Sequence, residues 1–594
     1  MMNKTLRISL VFFFAALYQS GYAQETGYKA ELDPEGRLVV TPALLPALES
    51  KSTESMTILD GYPIGKIANP TFKNQRGATL ADIDNDGQNE IIFGANDSLF
   101  AYKADGTLLW GKLISGVAVL PVAVKDMDGD GSVELALNTA GLPPALPPGR
   151  VYLMDADGND LEGWPKNFDD HWMISGPALA DIDGDGVAEV ITSERIGTTG
   201  HIHVLRMDGT HLNDNWPVVI TGTPGFTPSV GDLDGDGIPD IVSGSSSTGA
   251  LHAFDANGEY LPGFPQESEN TRFSYQSPLL FDFDGDGTLD IVGARHGDAP
   301  EYFAISGEGE YLEGWPVAAP SWTYAPPSAV DFDGNGEYSV FVGSPITNTD
   351  EDGNYLPMDV IFGFNADGSD IDNFPIAKVG GNESVITVAD INDDGVPDLV
   401  FTSNMIGNDG YGFIHAYSTD GSGELDGFPL RPRGWSFLQS ALLDDVNGDG
   451  NLDLVALTHT SNFGADVDSI FVTAYDLGYP YIPENIYFNA YKGDNTRTGL
   501  LASGTVGLGD IREIATLKLY PNPGAHETTL LLPEGLHQSA VLDIHDATGK
   551  KIHGESVGGK QGEITISLGD YAPGIYLVRI VSDETLYVNK LVVE

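Results

Sequence analysis

Between residues 60 and 500, short apolar runs alternate with acidic, glycine-rich turns, and this alternation itself returns about every 50 residues. One copy illustrates the unit. The apolar segment Pro177-Ala178-Leu179-Ala180 leads into the acidic stretch DIDGDGVAEV that starts at Asp181. Glu189-Val190-Ile191-Thr192 follows as a β-rich run, and then an alternating stretch from His201 to Gly209 ends in a turn. A Trp-Pro or Phe-Pro pair closes the unit, at Trp164, Trp216, Phe264, Trp315, Phe374 and Phe428. Short alternating runs bounded by Gly, Asp and Asn predict strands rather than helices. Each copy predicts four of them, and radial repetition of four-stranded sheets makes a propeller.

The clearest copies begin at Asp82, Asp126, Asp181, Asp232 and Asp282, and weaker ones at Asp331, Asp390 and Asp445. Eight blades are therefore expected; seven plus one degenerate copy is the alternative. Gly61-Tyr62-Pro63 before the first acidic loop matches Gly478-Tyr479-Pro480 after the last strand group. An N-terminal strand completing the final sheet would explain both and remove exposed edges. The fold class expected is all-β, an eight-bladed β-propeller over 60–500 with a small Ig-like β-sandwich at the C-terminus.

Charge narrows the partners. With 87 acidic against 29 basic residues the formal charge is −58, which leaves no basic footprint for nucleic acid or anionic membrane. Cysteine is absent, so disulfides, a lipidated-cysteine anchor and thiol catalysis are all excluded. Residues 1–23 read as an export signal: Lys4 and Arg7, the apolar run Ile8 to Tyr18, then Gly21-Tyr22-Ala23 before the cleavage point. That run is shorter than the roughly 20 residues a spanning helix needs, and no transmembrane segment is expected elsewhere. Residues 24–59 are expected to be an N-terminal segment or linker.

The acidic loops carry the chemistry. In the pattern DxDxDGxx[DE], oxygens at positions 1, 3, 5 and 9 converge while the glycine at 6 permits a sharp turn. The residues concerned are Asp82, Asp84, Asp86 and Glu90; Asp126, Asp128, Asp130 and Glu134; Asp181, Asp183, Asp185 and Glu189; Asp232, Asp234, Asp236 and Asp240. They continue with Asp282, Asp284, Asp286 and Asp290; Asp331, Asp333 and Asn335; Asp390, Asn392, Asp394 and Asp398; and Asp445, Asn447, Asp449 and Asp453. All-oxygen donor sets with flexible geometry suit Ca²⁺, several ions per chain, in a structural role. Magnesium wants stricter octahedral geometry, and zinc or copper want histidine or thiolate. The loops are not EF-hands, whose glutamate stands at position 12: Thr192 occupies that position in the loop from Asp181. Ser339 at position 9 and Asn335 at position 5 weaken the loop from Asp331.

These loops and their strand context resemble the FG-GAP/VCBS repeats of integrin-α-like propellers and bacterial surface proteins. The resemblance implies calcium between the first two strands of each blade, and adhesion or ligand binding as the activity. Some members are polysaccharide-active enzymes.

After a glycine-containing connector (501–515), residues 516–594 lack the acidic repeat and alternate as a small sandwich, as in Ile575 to Ile580. Tyr520-Pro521-Asn522-Pro523, the turn Asp546 to Lys550, Pro573-Gly574-Ile575-Tyr576 and Lys590-Leu591 resemble the type A sorting domain of the type IX secretion system. This implies the type IX machinery as a partner, and an extracellular or outer-surface location.

His201 and His203 share a strand face and could pair on a metal. Aligned by the turn that follows, however, His203 falls in a column with Phe100, Tyr152, His252, Phe303, Phe362 and His415. The column reads as a packing position. Trp110, Trp164, Trp216 and Trp315 belong to the closing unit and read as packing between blades. A different group lies in the connectors between blades, on the face opposite the acidic loops. Arg76, Trp172, Phe226, Arg272, Tyr275, Trp322, Tyr324, Arg433 and Trp435 could stack on sugar or capture an acidic group, or could wedge the blades together.

No HExxH or P-loop is present, and no catalytic residue is assigned. The leading expectation is a surface calcium-binding module for an extracellular glycan or protein. A polysaccharide lyase or hydrolase and a structural scaffold are the alternatives.

Overall fold

The computed structural model describes residues 26–593 except 33–37, 45–55, 70–76, 142–146, 168–174, 197–198, 246–248, 268–270, 274–276, 333–335, 352–354, 408, 437–440, 461–468 and 502–512, and, further on, 525, 534–540, 546–550, 558–559, 561, 570, 572–573 and 583–584. The chain divides into two compact units, Met1–Gly504 and Thr505–Glu594.

The first unit is built of consecutive antiparallel sheets. Two of them set the pattern: Thr79–Ala81, Glu90–Ala95, Ser98–Tyr102 and Leu108–Leu113 form the first, and Ala178–Ala180, Glu189–Ile196, Thr199–Leu205 and Val218–Thr221 the third. Among the described residues eight antiparallel sheets of three to five strands follow one another through Pro480, each with a three-residue strand that runs into an acidic loop. The second strands are continuous buried runs, such as Glu90–Ala95 and Asp290–Gly297. That is what a strand covered on both faces requires.

The eighth sheet is completed from the other end of the unit. Ile64–Ile67 and Thr57–Ile58 both pair with Ser469–Pro480, as the matched Gly-Tyr-Pro segments predict. The segment expected as a linker also holds two strands. Thr26–Leu32 pairs with Leu38–Leu44 and with Met405–Gly407, a strand that lies between the second and third strands of the seventh sheet in sequence but forms a separate sheet with these two.

The closing tryptophans join neighbours. Trp110 donates its indole N–H to the Ala156 carbonyl of the next sheet at 2.9 Å, Trp164 to Met207 at 2.7 Å, Trp216 to Ala256 at 3.1 Å and Trp315 to Ala366 at 2.7 Å. Each indole thus buries its apolar body while its single donor finds a carbonyl.

A segment that the repeat pattern does not contain runs along the first strands. Val124, Leu179, Val230 and Leu280 donate their N–H groups to the carbonyls of Asn495, Thr496, Thr498 and Gly499, at 2.8–3.0 Å. Asn495 Nδ2 reaches the Leu80 carbonyl, Asn489 Oδ1 accepts from Leu443, and Ile486–Phe488 pairs with Thr387–Ala389. These first strands are sheet edges with unpaired backbone groups, and one polar stretch of chain satisfies seven of them. Its two cations are fully buried: Lys492 on the Pro228 carbonyl and Ser229 Oγ, and Arg497 on four acceptors.

The second unit has two sheets. Glu513–Thr516, Thr585–Val593, Gly574–Ser582, Val541–His545 and Lys551–Ser556 form one; Lys518–Tyr520, Glu527–Leu531 and Glu563–Ser567 form the other. Leu530, Leu542, Ile544, Val578, Ile580 and Leu591 lie in their shared apolar core. Among the described residues the only helix is the turn Pro483–Asn485, and no helix is long and apolar enough to cross a membrane.

Candidate metal centres

Every acidic loop is closed by the same backbone pair. The residue before position 1 faces position 9 across the first two strands: Ala81 with Glu90, Lys125 with Glu134, Ala180 with Glu189, Gly231 with Asp240. Phe281 with Asp290, Val330 with Ser339, Ala389 with Asp398 and Asp444 with Asp453 complete the set. One register in all eight means that each loop spans the same number of residues between its paired ends.

The turn is set by backbone sign rather than by space. Position 6 is glycine throughout, with φ from 82° at Gly395 to 92° at Gly287, and added Cβ atoms there would meet nothing within 4 Å. Only glycine adopts this conformation without strain. Among the described residues position 4 is also left-handed, and where glycine is missing Asn85 and Asp393 stand in, the side chains that best tolerate it.

Backbone amides aim the carboxylates. In the loop from Asp181, Oδ1 accepts from Gly184 and Asp185 and Oδ2 from Gly186, while Asp183 accepts from Asp185 and Asp185 from Val187. The position-9 acid accepts the N–H of position 2 in seven loops, at 2.8–3.0 Å. That bond uses one oxygen. The other oxygen of Asp398 and of Asp453 is buried with no hydrogen-bond partner, and a buried, unpaired carboxylate oxygen is costly without a cation. Burial pushes Glu90, Glu189, Asp240, Asp290, Asp398 and Asp453 up to about 7, with neighbouring loop aspartates adding to the shift. A divalent ion is the counter-charge this donor set fits, since every donor is oxygen.

Asp82, Asp84 and Asp86 bring one oxygen each within 4.8 Å of one another, as do Asp126, Asp128 and Asp130. Asp181, Asp183 and Glu189 do the same, and so do Asp232, Asp234 and Asp240. Two loops also hold a basic side chain: Lys103 Nζ lies 2.5 Å from Asp84 and 2.9 Å from Asp86, and Arg206 lies 2.9 Å from Asp183. In the sixth loop Asp331 accepts from Gly336, and Asp333 and Asn335 lie outside the described residues.

The connector residues divide. Phe226, Tyr324 and Trp435 are buried, Trp435 at 1% exposure, so they pack between sheets as they stand. Trp322 is half-buried with its N–H on the Gly297 carbonyl, and Arg433 is exposed with its guanidinium 4.8 Å from the Phe471 ring. Arg76, Trp172 and Tyr275 lie outside the described residues, and only the backbone of Arg272 is described. In the repeat column Tyr152, His203, His252, Phe303 and His415 are buried, and Phe100 and Phe362 are half-buried.

The sequence matches the FG-GAP-like repeat over residues 126–192 and 282–342, and the secretion system C-terminal sorting domain over 518–594. No curated protein matches. Among solved structures it is similar to the V. cholerae biofilm matrix protein Bap1, at 13% identity and TM-score 0.35, over 76% of this chain and 96% of that one. It is also similar to BBS1N in complex with ARL6DN, at 13% identity and TM-score 0.33, over 64% and 99%. A Bacteroides caccae protein of unknown function matches at 13% identity and TM-score 0.23, over 50% and 94%. The sorting domain marks the chain for export to the cell surface or the extracellular space and implies interaction with the type IX machinery.

Proposed function

We propose that this exported chain of FG-GAP-like repeats with a type IX sorting tail is a calcium-stabilised, eight-bladed propeller that binds a glycan or protein outside the cell. The observation that carries the ring is the segment from Asn485 to Leu501, which hydrogen-bonds the first strands of seven sheets. Its 17 residues reach at most about 60 Å when extended. Seven strand edges served by so short a chain support sheets that converge on one axis. The second unit, read as an Ig-like sandwich, is then the address rather than part of the binding surface.

The ring sorts its two ends. Loops between first and second strands lie at one end, in one register, with Ca²⁺ held by positions 1, 3, 5 and 9. Connectors between blades lie at the other end and are free to differ, which suits recognition. Insertions gather there, including the hairpin Asn348–Thr349 with Tyr355–Leu356. Trp172, Trp322, Arg433, Arg76, Arg272 and Tyr275 are the candidates for ligand contact, with Phe226, Tyr324 and Trp435 as wedges beneath them.

Incubating the mature protein with a polysaccharide panel tests this reading. Retention without products, lost on W172A and W322A at unchanged melting temperature, supports it; cleavage products favour a lyase or hydrolase. Neither retention nor products would favour a scaffold.

A further inference from the structure

The packing column conceals a difference in chemistry. In the fourth sheet the column residue, His252, bonds the Tyr260 hydroxyl at 2.9 Å and Ser245 Oγ at 3.3 Å, and stacks on Phe254. In the seventh, His415 bonds Glu424 and stacks on Phe401 and Phe413. Each is a lone imidazole.

The third sheet is built otherwise. Glu194 faces His201, and Thr192 faces His203, across the paired strands Glu189–Ile196 and Thr199–Leu205. Alternation puts all four side chains on one face. His201 Nδ1 and His203 Nε2 each lie 3.1 Å from the same oxygen, Glu194 Oε1. The three ligand atoms lie within 4.8 Å of one another. Glu194 and His203 are buried at 4% exposure, whereas the His201 side chain is 21% exposed.

We infer that Glu194, His201 and His203 form a zinc site, separate in place and in chemistry from the acidic loops. Zinc takes imidazole nitrogen and carboxylate oxygen at about 2.0–2.2 Å, so tetrahedral ligands stand roughly 3.3 Å apart. Both contacts to Glu194 Oε1 are within a few tenths of an ångström of that spacing. The geometry allows the tautomer that the assignment needs. His203 Nδ1 lies 3.0 Å from His211 Nε2, and with Nδ1 as the donor the Nε2 lone pair faces Glu194. A zinc-bound histidine is ordinarily oriented through its other ring nitrogen in this way. The partly exposed ring of His201 leaves solvent to complete the coordination. Calcium loops with oxygen donors alone do not compete for zinc, and an imidazole pair does not compete for calcium. The same side chains without a metal would be a carboxylate–imidazole hydrogen-bond network, which binds no ion.

Cobalt distinguishes the two. The full-length mature protein is stripped with chelator, saturated with Ca²⁺ to fill the loops, and titrated with Co²⁺ while visible absorption is recorded. We expect one saturable equivalent with the intense bands of four-coordinate cobalt, displaced by Zn²⁺. H203F places in this column the residue three other sheets already carry, and H201Q alters only the partly exposed ring; each should weaken binding by about tenfold or more. H252F should leave it unchanged. Absence of saturable absorption in the parent protein overturns the assignment, as does binding that both H201Q and H203F leave intact. If H203F fails to fold, H201Q decides alone.

Discussion

Arg497 is the sharpest test of the segment that lines the first strands. Its guanidinium donates to the carbonyls of Tyr491 (3.0 Å), Asp494 (2.7 Å) and Val122 (3.3 Å) and to Thr79 Oγ1 (2.9 Å), linking the segment to the first two sheets. The residue is 1% exposed. Truncation to alanine removes all four bonds: the carbonyls of Tyr491 and Asp494 lose a donor, Thr79 Oγ1 loses a partner, and Val122 keeps only the donor from Thr79. Each unsatisfied group costs about 1–3 kcal/mol, while releasing the arginine's own desolvation returns part of that. A net loss of about 3–5 kcal/mol follows. Over roughly 450 residues, with an unfolding entropy of about 2.1 cal/mol/K per residue, that lowers Tm by ~3–5 °C. Calorimetry of the calcium-loaded protein reads this directly. R497K should recover less than half, because one ammonium cannot serve acceptors set for a planar fork. An R497A protein melting within a degree of its parent would refute the claim that this segment holds the sheets together.

Three further outcomes are expected. D453N keeps the acceptor for Val446 but drops the charge that burial opposes, so the calcium-free protein should melt no lower than its parent, while the bound-calcium count falls by one; a lower melting point without calcium would contradict this. K103Q removes the ammonium from Asp84 and Asp86, so the first loop should bind calcium several-fold more tightly in a titration, and unchanged or weaker binding would count against competition. His252 is held at about 4 by burial, against about 6.5 when unfolded. Because the folded form resists the proton, its contribution is present above pH 6.5 and lost as pH falls toward 4, on the order of 3 kcal/mol. H252F should therefore flatten the acid limb of a stability–pH curve, and an identical slope would reject the assignment.

Much of this fold is legible in the sequence because the acidic loop ties chemistry to register. A glycine at position 6 and an acid at position 9 together fix where the second strand begins, and the Trp-Pro units mark where each sheet meets its neighbour. The segment from Asn485 to Leu501 is not legible in that way. It occurs once, follows no period, and its buried cations look like any solvated loop until the strands they serve are known. Aligning repeats also hides what is particular to one of them. The column of His203 reads as one packing position across seven repeats, yet the third supplies Glu194 and His201 beside it. Connector position likewise did not show that Phe226, Tyr324 and Trp435 are buried.

The central claim is that recurrent carboxylate loops are cages for calcium that hold the sheets together. Elemental analysis of the purified mature protein after equilibration with Ca²⁺ and desalting, paired with melting before and after chelation, addresses it most directly. The account predicts several calcium ions per chain and a melting temperature that falls on chelation and returns with added Ca²⁺. A protein free of calcium, or one whose melting ignores the chelator, would contradict it.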